Sequence, residues 1–286
     1  MNLAAGASAA TGRVLVFDSG VGGLSICGEI IATSPALTLH YLSDNAAFPY
    51  GEKTPRELLQ RVAQLLQQAI ETLQPDLLVI ACNTASTVVL PKLREQLSIP
   101  VVGVVPAIKT AAELSRSKTI ALLATPGTAT RHYTTQLIAE HAAEQQVIRV
   151  GSSQLVRAIE RHLHGEALCQ QTVEDVISQI EQQPGSELID TVVLGCTHFP
   201  LITATLRELR PHWQWLDSGA AIARRVDNLL AQSRNNRVSH NSRSESGDEK
   251  PVKNIAWFTQ KRPELRQLEQ FLASLNFAPA REFELS

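Results

Sequence analysis

DLLVIACNTAS (76–86) and DTVVLGCTHFP (190–200) are two versions of one motif. Each runs from an acid through a short apolar strand and a small residue to a cysteine, with a threonine within two positions of it. Short, continuous apolar runs bounded by helix-start residues read as strands covered on both faces, the habit of parallel sheets. Upstream of each motif stands a second matching pair, RVLVFDSGVGG (13–23) and KTIALLATPGT (118–128), an apolar strand followed by a polar turn containing glycine. The interval from Asp18 to Thr125 is close to that from Cys82 to Cys196, and both pairs occur in the same order. One unit therefore occurs twice, which predicts two related lobes whose strand ends face a shared cleft.

The rest of the chain extends the same alternation. LTLHYL (37–42) and VVGVV (101–105) read as further strands. PRELLQRVAQLLQQAIETL (55–73) places apolar residues at helical spacing behind Pro55 at a first-turn position. Segments 84–97, 127–142, 152–162 and 166–182 read as helices too. This predicts an α/β fold of two pseudo-symmetric lobes, each a mostly parallel sheet flanked by helices, with the active site in the cleft between them. The expected division is a flexible leader (1–12), a first lobe (13–105 plus 213–286) and a second lobe (106–212). Residues 232–253, rich in Ser, Asn and charge, read as a mobile loop within the first lobe. After it, NIAWF (254–258) and PELRQLEQFLASL (263–275) return the tail to one of the lobes.

Bulk properties narrow the function classes. The chain has 286 residues, 44% hydrophobic, enough for two cores, and a formal net charge of −2, which argues against a charge-driven nucleic-acid binder. No apolar run reaches the roughly eighteen residues of a membrane span, and MNLAAGASAATGR does not read as a secretory signal. The four cysteines include no C-x-x-C pair and are too few for a disulfide scaffold, so a reducing cytoplasm with free thiols is expected.

Ligands of parallel sheets bind outside the carboxyl ends of the strands, so the residues there carry most weight. Cys82 and Cys196 each follow a strand and precede an expected helix, whose first amides favour thiolate. Cys27 and Cys169, inside helical stretches, read as small buried hydrophobes. Zinc held by Cys82, Cys196 and His198 is the sharper rival, weakened by the absence of closely spaced ligand pairs. His162 and His164 in RHLHGE read as partly solvated residues at a helix end. DSGVGG (18–23) offers amides for an anion such as a carboxylate, or is a tight turn needing glycine for its backbone. It is neither a dinucleotide fingerprint nor a phosphate loop, because Ser25 stands where the last glycine belongs and no Gly-Lys-Ser/Thr follows. FPYGEK (48–53) lies in a polar loop, and Asn83 and Thr84 suit both helix capping and a polar ligand.

DSGVGG, PYGEK, ACNTAS, ATPGT and GCTHFPL, in this order and at these spacings, closely resemble the bacterial glutamate racemases of the cofactor-independent aspartate/glutamate racemase superfamily. The likeness runs from about Val14 to Asp217, and SDNAAFPYGEK resembles the proteobacterial branch. PAIKTA (106–111) departs from the pattern, lacking a second proline. The resemblance implies interconversion of L- and D-glutamate without a cofactor, supplying D-glutamate for peptidoglycan. It implies Cys82 and Cys196 as acid-base catalysts, Asp18 beside the first, His198 beside the second, and Asp44 and Glu160 as supporting acids. Asp18, Ser19, Tyr50, Gly51, Asn83, Thr84, Thr125, Thr197 and His198 match substrate-binding positions. UDP-N-acetylmuramoyl-L-alanine is implied as an activator, and DNA gyrase as a partner by family analogy alone. Another acidic amino acid or a hydantoin as substrate stays open.

Overall fold

Alternate residues of the central strands turn to opposite faces, and each face meets its own layer of helices. In the computed structural model, which describes residues 12–238, 254–261 and 265–285, this gives each lobe two half-cores around one sheet. The first lobe begins with β1 (Gly12–Asp18), α1 (Leu24–Thr33), β2 (Leu37–Ser43), α2 (Pro55–Leu73), β3 (Leu77–Ile80), α3 (Asn83–Gln96) and β4 (Val101–Gly103). The second holds α4 (Ile108–Leu114), β5 (Thr119–Ala124), α5 (Pro126–Thr130), α6 (His132–His141), β6 (Gln146–Gly151) and α7 (Ser153–Leu163). It continues with α8 (Gln170–Glu181), β7 (Thr191–Gly195), α9 (Thr203–Leu209) and β8 (Gln214–Leu216). The chain returns to the first through α10 (Gly219–Val238), β9 (Ile255–Phe258), α11 (Leu265–Ser274) and β10 (Arg281–Glu282).

The sheet orders are β10-β9-β2-β1-β3-β4 and β6-β5-β7-β8, with every pairing parallel. Strands β2-β1-β3-β4 and β6-β5-β7-β8 thus repeat one arrangement, and β9 and β10 extend only the first. In β1, Val14 and Val16 join the half-core that also holds α1 and α10, while Leu15 and Phe17 join the one capped by α2 and α3. In β5, Ala121 and Leu123 face α7 and α8, whereas Ile120, Leu122 and Ala124 face α4. Helix α2 shows why such helices form. Thr54 and Glu57 close a capping box, Pro55 starts the first turn, and Leu58, Val62, Leu65, Leu66, Ala69 and Leu73 make one buried stripe.

Four sequence expectations change. The first lobe does not resume at 213: β8 pairs with β7, and Trp213 and Trp215 sit in the second lobe's core. Residues 232–238 continue α10, carried there by the stripe Ile222, Val226 and Leu230 packed under β1; residues 239–253 lie outside the described residues. The helix expected over 127–142 is broken at Arg131 into α5 and α6. Cys169 is exposed, one residue before α8. Among the described residues no helix is long and apolar enough to cross a membrane.

Candidate active site

The turn after β1 carries the first group of polar residues. Asp18 ends the strand fully buried, and its Oδ1 accepts from the Ser19 and Gly20 amides, the latter at 3.4 Å. The next amide, Val21 N–H, donates to Glu160 Oε2 of the second lobe at 3.0 Å. The anion that DSGVGG was expected to hold is thus the protein's own: two carboxylates, one from each lobe. The glycines are not there for an unusual backbone, since none of Gly20, Gly22 and Gly23 has a positive φ. A Cβ on Gly22 would stand 2.7 Å from Thr197 Oγ1 and closer still to His198 Nδ1, and one on Gly20 would stand 2.5 Å from Glu160 Oε2. The second lobe simply comes too near for a side chain.

Cys82 follows β3 and occupies the N-cap position of α3. Its sulfur lies 3.7 Å from Ser19 Oγ. Burial pushes the thiol far up, and the charges of Asp18 and Cys196 add to it; the Ala85 amide and the Ser19 hydroxyl pull the other way and lose. The thiolate expected from the helix amides therefore does not form on its own here. Beside it, the Asn83 side chain is buried with Nδ2 unpartnered, a donor aimed at something the protein does not supply.

Cys196 follows β7, but no α-helix starts at Thr197; a short 3-10 turn over Phe199–Ile202 precedes α9. Its electrostatic neighbour is His198 instead, with Nδ1 3.7 Å from the sulfur. His198 Nε2 lies 2.7 Å from Glu160 Oε2, and a carboxylate only accepts, so Nε2 carries the proton there. Burial alone would lower the imidazole's pKa, but hydrogen bonds to Cys196 and Glu160, with their charges, hold it well above its usual value. Glu160 is the converse. Burial would raise it, yet His164, His198 and the Val21 amide hold it down at about 2. A charged His198 then has both ring N–H groups committed, one to each neighbour.

Hydrogen bonds across the cleft repeat the internal symmetry. Thr84, two residues after the first cysteine, lies 3.0 Å from Thr125 at the end of β5. Thr197, directly after the second cysteine, donates to Asp18 Oδ2 at the end of β1 at 2.9 Å. Each cysteine turn is thus tied to the first strand of the opposite lobe. Arg131 adds bonds to the Thr84 carbonyl (2.8 Å) and Thr87 Oγ1 (3.0 Å), and Arg157 grips Glu52 at 2.7 Å.

One cavity lies between these turns, and Asp18, Ser19, Tyr50, Gly51, Cys82, Asn83, Thr84, Thr125, Cys196, Thr197 and His198 all line it. Phe48, Pro49, Ser153 and Val156 complete the wall and were not anticipated from sequence. The cavity is small, about 20 Å³, so its walls stand close together. Glu160 sits behind His198. Asp44 is not in the wall: both oxygens are taken by Arg61 (2.7 and 2.9 Å), with Tyr50 OH at 2.5 Å and Thr259 Oγ1 at 2.8 Å. Its contact with the cavity runs through Tyr50. Among the described residues no group of three or more His, Cys, Asp or Glu side chains is placed to hold a metal ion.

Residues 21–226 match the family described as Asp/Glu/Hydantoin racemase. The chain belongs to that family. Among its relatives is the glutamate racemase of Vibrio cholerae, 52% identical over 219 residues, 76% of this chain and 80% of that one. The glutamate racemase of Shewanella woodyi is 46% identical over 269 residues, covering 94% and 97%. The crystal structure of Escherichia coli glutamate racemase in complex with L-glutamate and the activator UDP-MurNAc-ala aligns over 96% of this chain and 98% of that one. Its TM-score is 0.84 at 41% identity. The family membership and the paired thiol turns rest on the same stretches of chain.

Proposed function

We propose that this racemase-family protein interconverts L- and D-glutamate by a two-base mechanism in which Cys82 and Cys196 work from opposite sides of one α-carbon. The observation that carries this reading is that the two cysteines line one small cavity from different lobes, each at the rim of its own sheet. Removing an α-hydrogen leaves a nearly planar carbanion, and inversion needs a base on one face and an acid on the other. Cys82, held protonated by burial and by Asp18, suits the acid. Cys196, beside a His198 held protonated by Glu160, suits the base, because the imidazolium stabilises charge on its sulfur. Exchanging the two protonation states serves the opposite enantiomer.

General acid-base catalysis contributes about 10²–10⁴-fold, so positioning and stabilisation of the carbanion supply the rest. The Asn83 amide, the hydroxyls of Ser19, Thr84, Thr125 and Thr197 and the Tyr50-Gly51 turn are the polar groups available to hold two carboxylates and an ammonium. Because the walls stand close together, a dicarboxylic amino acid enters only when the lobes part, and closure then excludes water. The reaction supplies D-glutamate for peptidoglycan in the cytoplasm, where both thiols stay reduced. As in the E. coli relative, UDP-MurNAc-ala serves as activator.

Circular dichroism of L- and D-glutamate with the purified protein, with and without UDP-N-acetylmuramoyl-L-alanine, tests the activity. Ellipticity should decay to zero from either side. Persistence of both signals under both conditions overturns the reading, and decay with aspartate or a hydantoin alone would move the substrate elsewhere in the family. In deuterium oxide, single turnovers should place label chiefly in the inverted product; equal label in recovered substrate contradicts two bases.

A further inference from the structure

The carboxylate of Glu160 has a third donor that the two-thiol reaction does not explain. His164 stands one turn further along the same helix, at the i+4 spacing where side chains meet. It caps α7, its amide bonded to the Glu160 and Arg161 carbonyls at 3.2 and 3.0 Å, so the root of the side chain is pinned. From there Nε2 reaches Glu160 Oε1 at 3.4 Å, while Oε2 takes His198 and the Val21 amide. The His198 side chain is 3% exposed and that of His164 17%. Both Glu160, its side chain 11% exposed, and His164 border a second cavity of about 390 Å³, lined also by Asn45, Arg157, Arg161 and Glu166.

We propose that His164 is a positioning residue for Cys196: it fixes one oxygen of Glu160 so that the other holds His198 against the sulfur. The line of contacts runs Cys196, His198, Glu160, His164; among the described residues Cys82 has instead Ser19, Asp18, Tyr50 and Arg131 near it, and no imidazole. Without His164, Oε1 loses its donor in a buried setting, and the carboxylate is free to turn away from His198. The charged groups facing the pair are His198 from the turn after β7, Arg157 and Arg161 from α7, and Glu166 beyond it. Arg157 is engaged by Glu52, and Arg161 by Glu166 at 3.2 Å, so neither substitutes for His164. From α11, the neutral Gln267 lies against Gly165.

This inference rests on the racemase reading only for the meaning of kcat; the state of Cys196 can be read without turnover. The test uses the full chain with His164→Leu, which removes the donor, and His164→Gln, which can return an N–H to Oε1. Both cysteines are followed in the same sample by iodoacetamide alkylation and mass spectrometry across pH. For His164→Leu, the loss of one hydrogen bond to a charged group predicts a kcat lower by about tenfold with KM within about twofold. The Cys196 alkylation midpoint should move up by about one pH unit while Cys82 keeps its profile, and His164→Gln should recover most of both losses. An unchanged Cys196 profile in His164→Leu, equal shifts at both cysteines, or no recovery with Gln overturns the proposal. Failure of the wild type to racemise glutamate would instead sink the assigned function and leave the alkylation result standing.

Discussion

The two cysteine turns are nearly the same in sequence and unlike in their surroundings. Cys82 caps a true α-helix, the local structure most favourable to a thiolate, yet it is held as a thiol because burial and the Asp18 carboxylate outweigh the helix amides. Cys196 has only a 3-10 turn after it, but an imidazole backed by a carboxylate stands beside its sulfur. The comparison teaches that a repeated motif fixes where a reactive atom sits, while the charged side chains packed around it within its own lobe fix what it does. Asp18 and Glu160 do this work, and each reaches the opposite lobe through Thr197 or Val21.

The largest effect that could break the comparison is loss of either thiol. Cys82→Ala and Cys196→Ala should each lower racemisation by at least about 10³-fold in both directions, the upper range for a general acid-base group, as read by circular dichroism. A variant retaining a tenth of the activity would remove that cysteine from the mechanism. Next comes the spacing between the halves. Gly22→Ala drives a methyl into Thr197 and His198 and should lower kcat/KM by about 10²-fold, the scale of a misplaced reacting group. Gly28→Ala, whose methyl meets only Leu275 at 3.8 Å, is the control: activity unchanged and stability raised by about 0.5–1 kcal/mol in chemical denaturation.

Much of this was legible beforehand, for a physical reason. Strands buried on both faces are continuous apolar runs, so β1, β3, β5 and β7 stand out, and with them the turns that end in Asp18, Cys82, Thr125 and Cys196. Strand β6, QVIRVG, alternates because it lies at an edge with Gln146 and Arg149 exposed, and β8 is only three residues long. Neither announces itself. Long-range partners are equally silent. Nothing near Asp44 says that Arg61 and Thr259 will occupy its oxygens, and nothing in RHLHGE says which carboxylate His164 will meet. Cys169 is exposed where burial is expected because a helical pattern does not tell the residue that caps a helix from those inside it.

Smaller effects sharpen the electrostatic side. Glu160→Gln removes the charge facing His198 and should lower that imidazole's pKa by about 1–3 units in an NMR titration. Because Glu160 is held at about 2, below the ordinary carboxylate value near 4.3, its contribution to stability is complete above that ordinary value and lost as pH falls toward 2. The stability gap between wild type and Glu160→Gln should therefore narrow from about pH 4 down to 2 in acid unfolding. His198 behaves oppositely: its raised pKa stabilises below about 6.5, and that contribution fades as pH climbs through the raised value. Smallest is Arg157→Ala. This cross-lobe pair with Glu52 is nearly half exposed, so its loss should cost at most about 1 kcal/mol in thermal unfolding.

The crossed bonds Thr84–Thr125 and Thr197–Asp18 have a consequence for symmetry. In a dimer of two identical half-chains, a two-fold axis would force the same residue into both first-strand positions, carboxylate facing threonine twice or hydroxyl facing threonine twice. Joining the halves in one polypeptide lifts that requirement. Position 18 then holds an acid while position 125 holds a neutral hydroxyl, and only one thiol acquires an imidazole. A centre that must hand a proton in on one side and take it out on the other is polar by nature, and a single chain folded twice is the simplest scaffold that permits it.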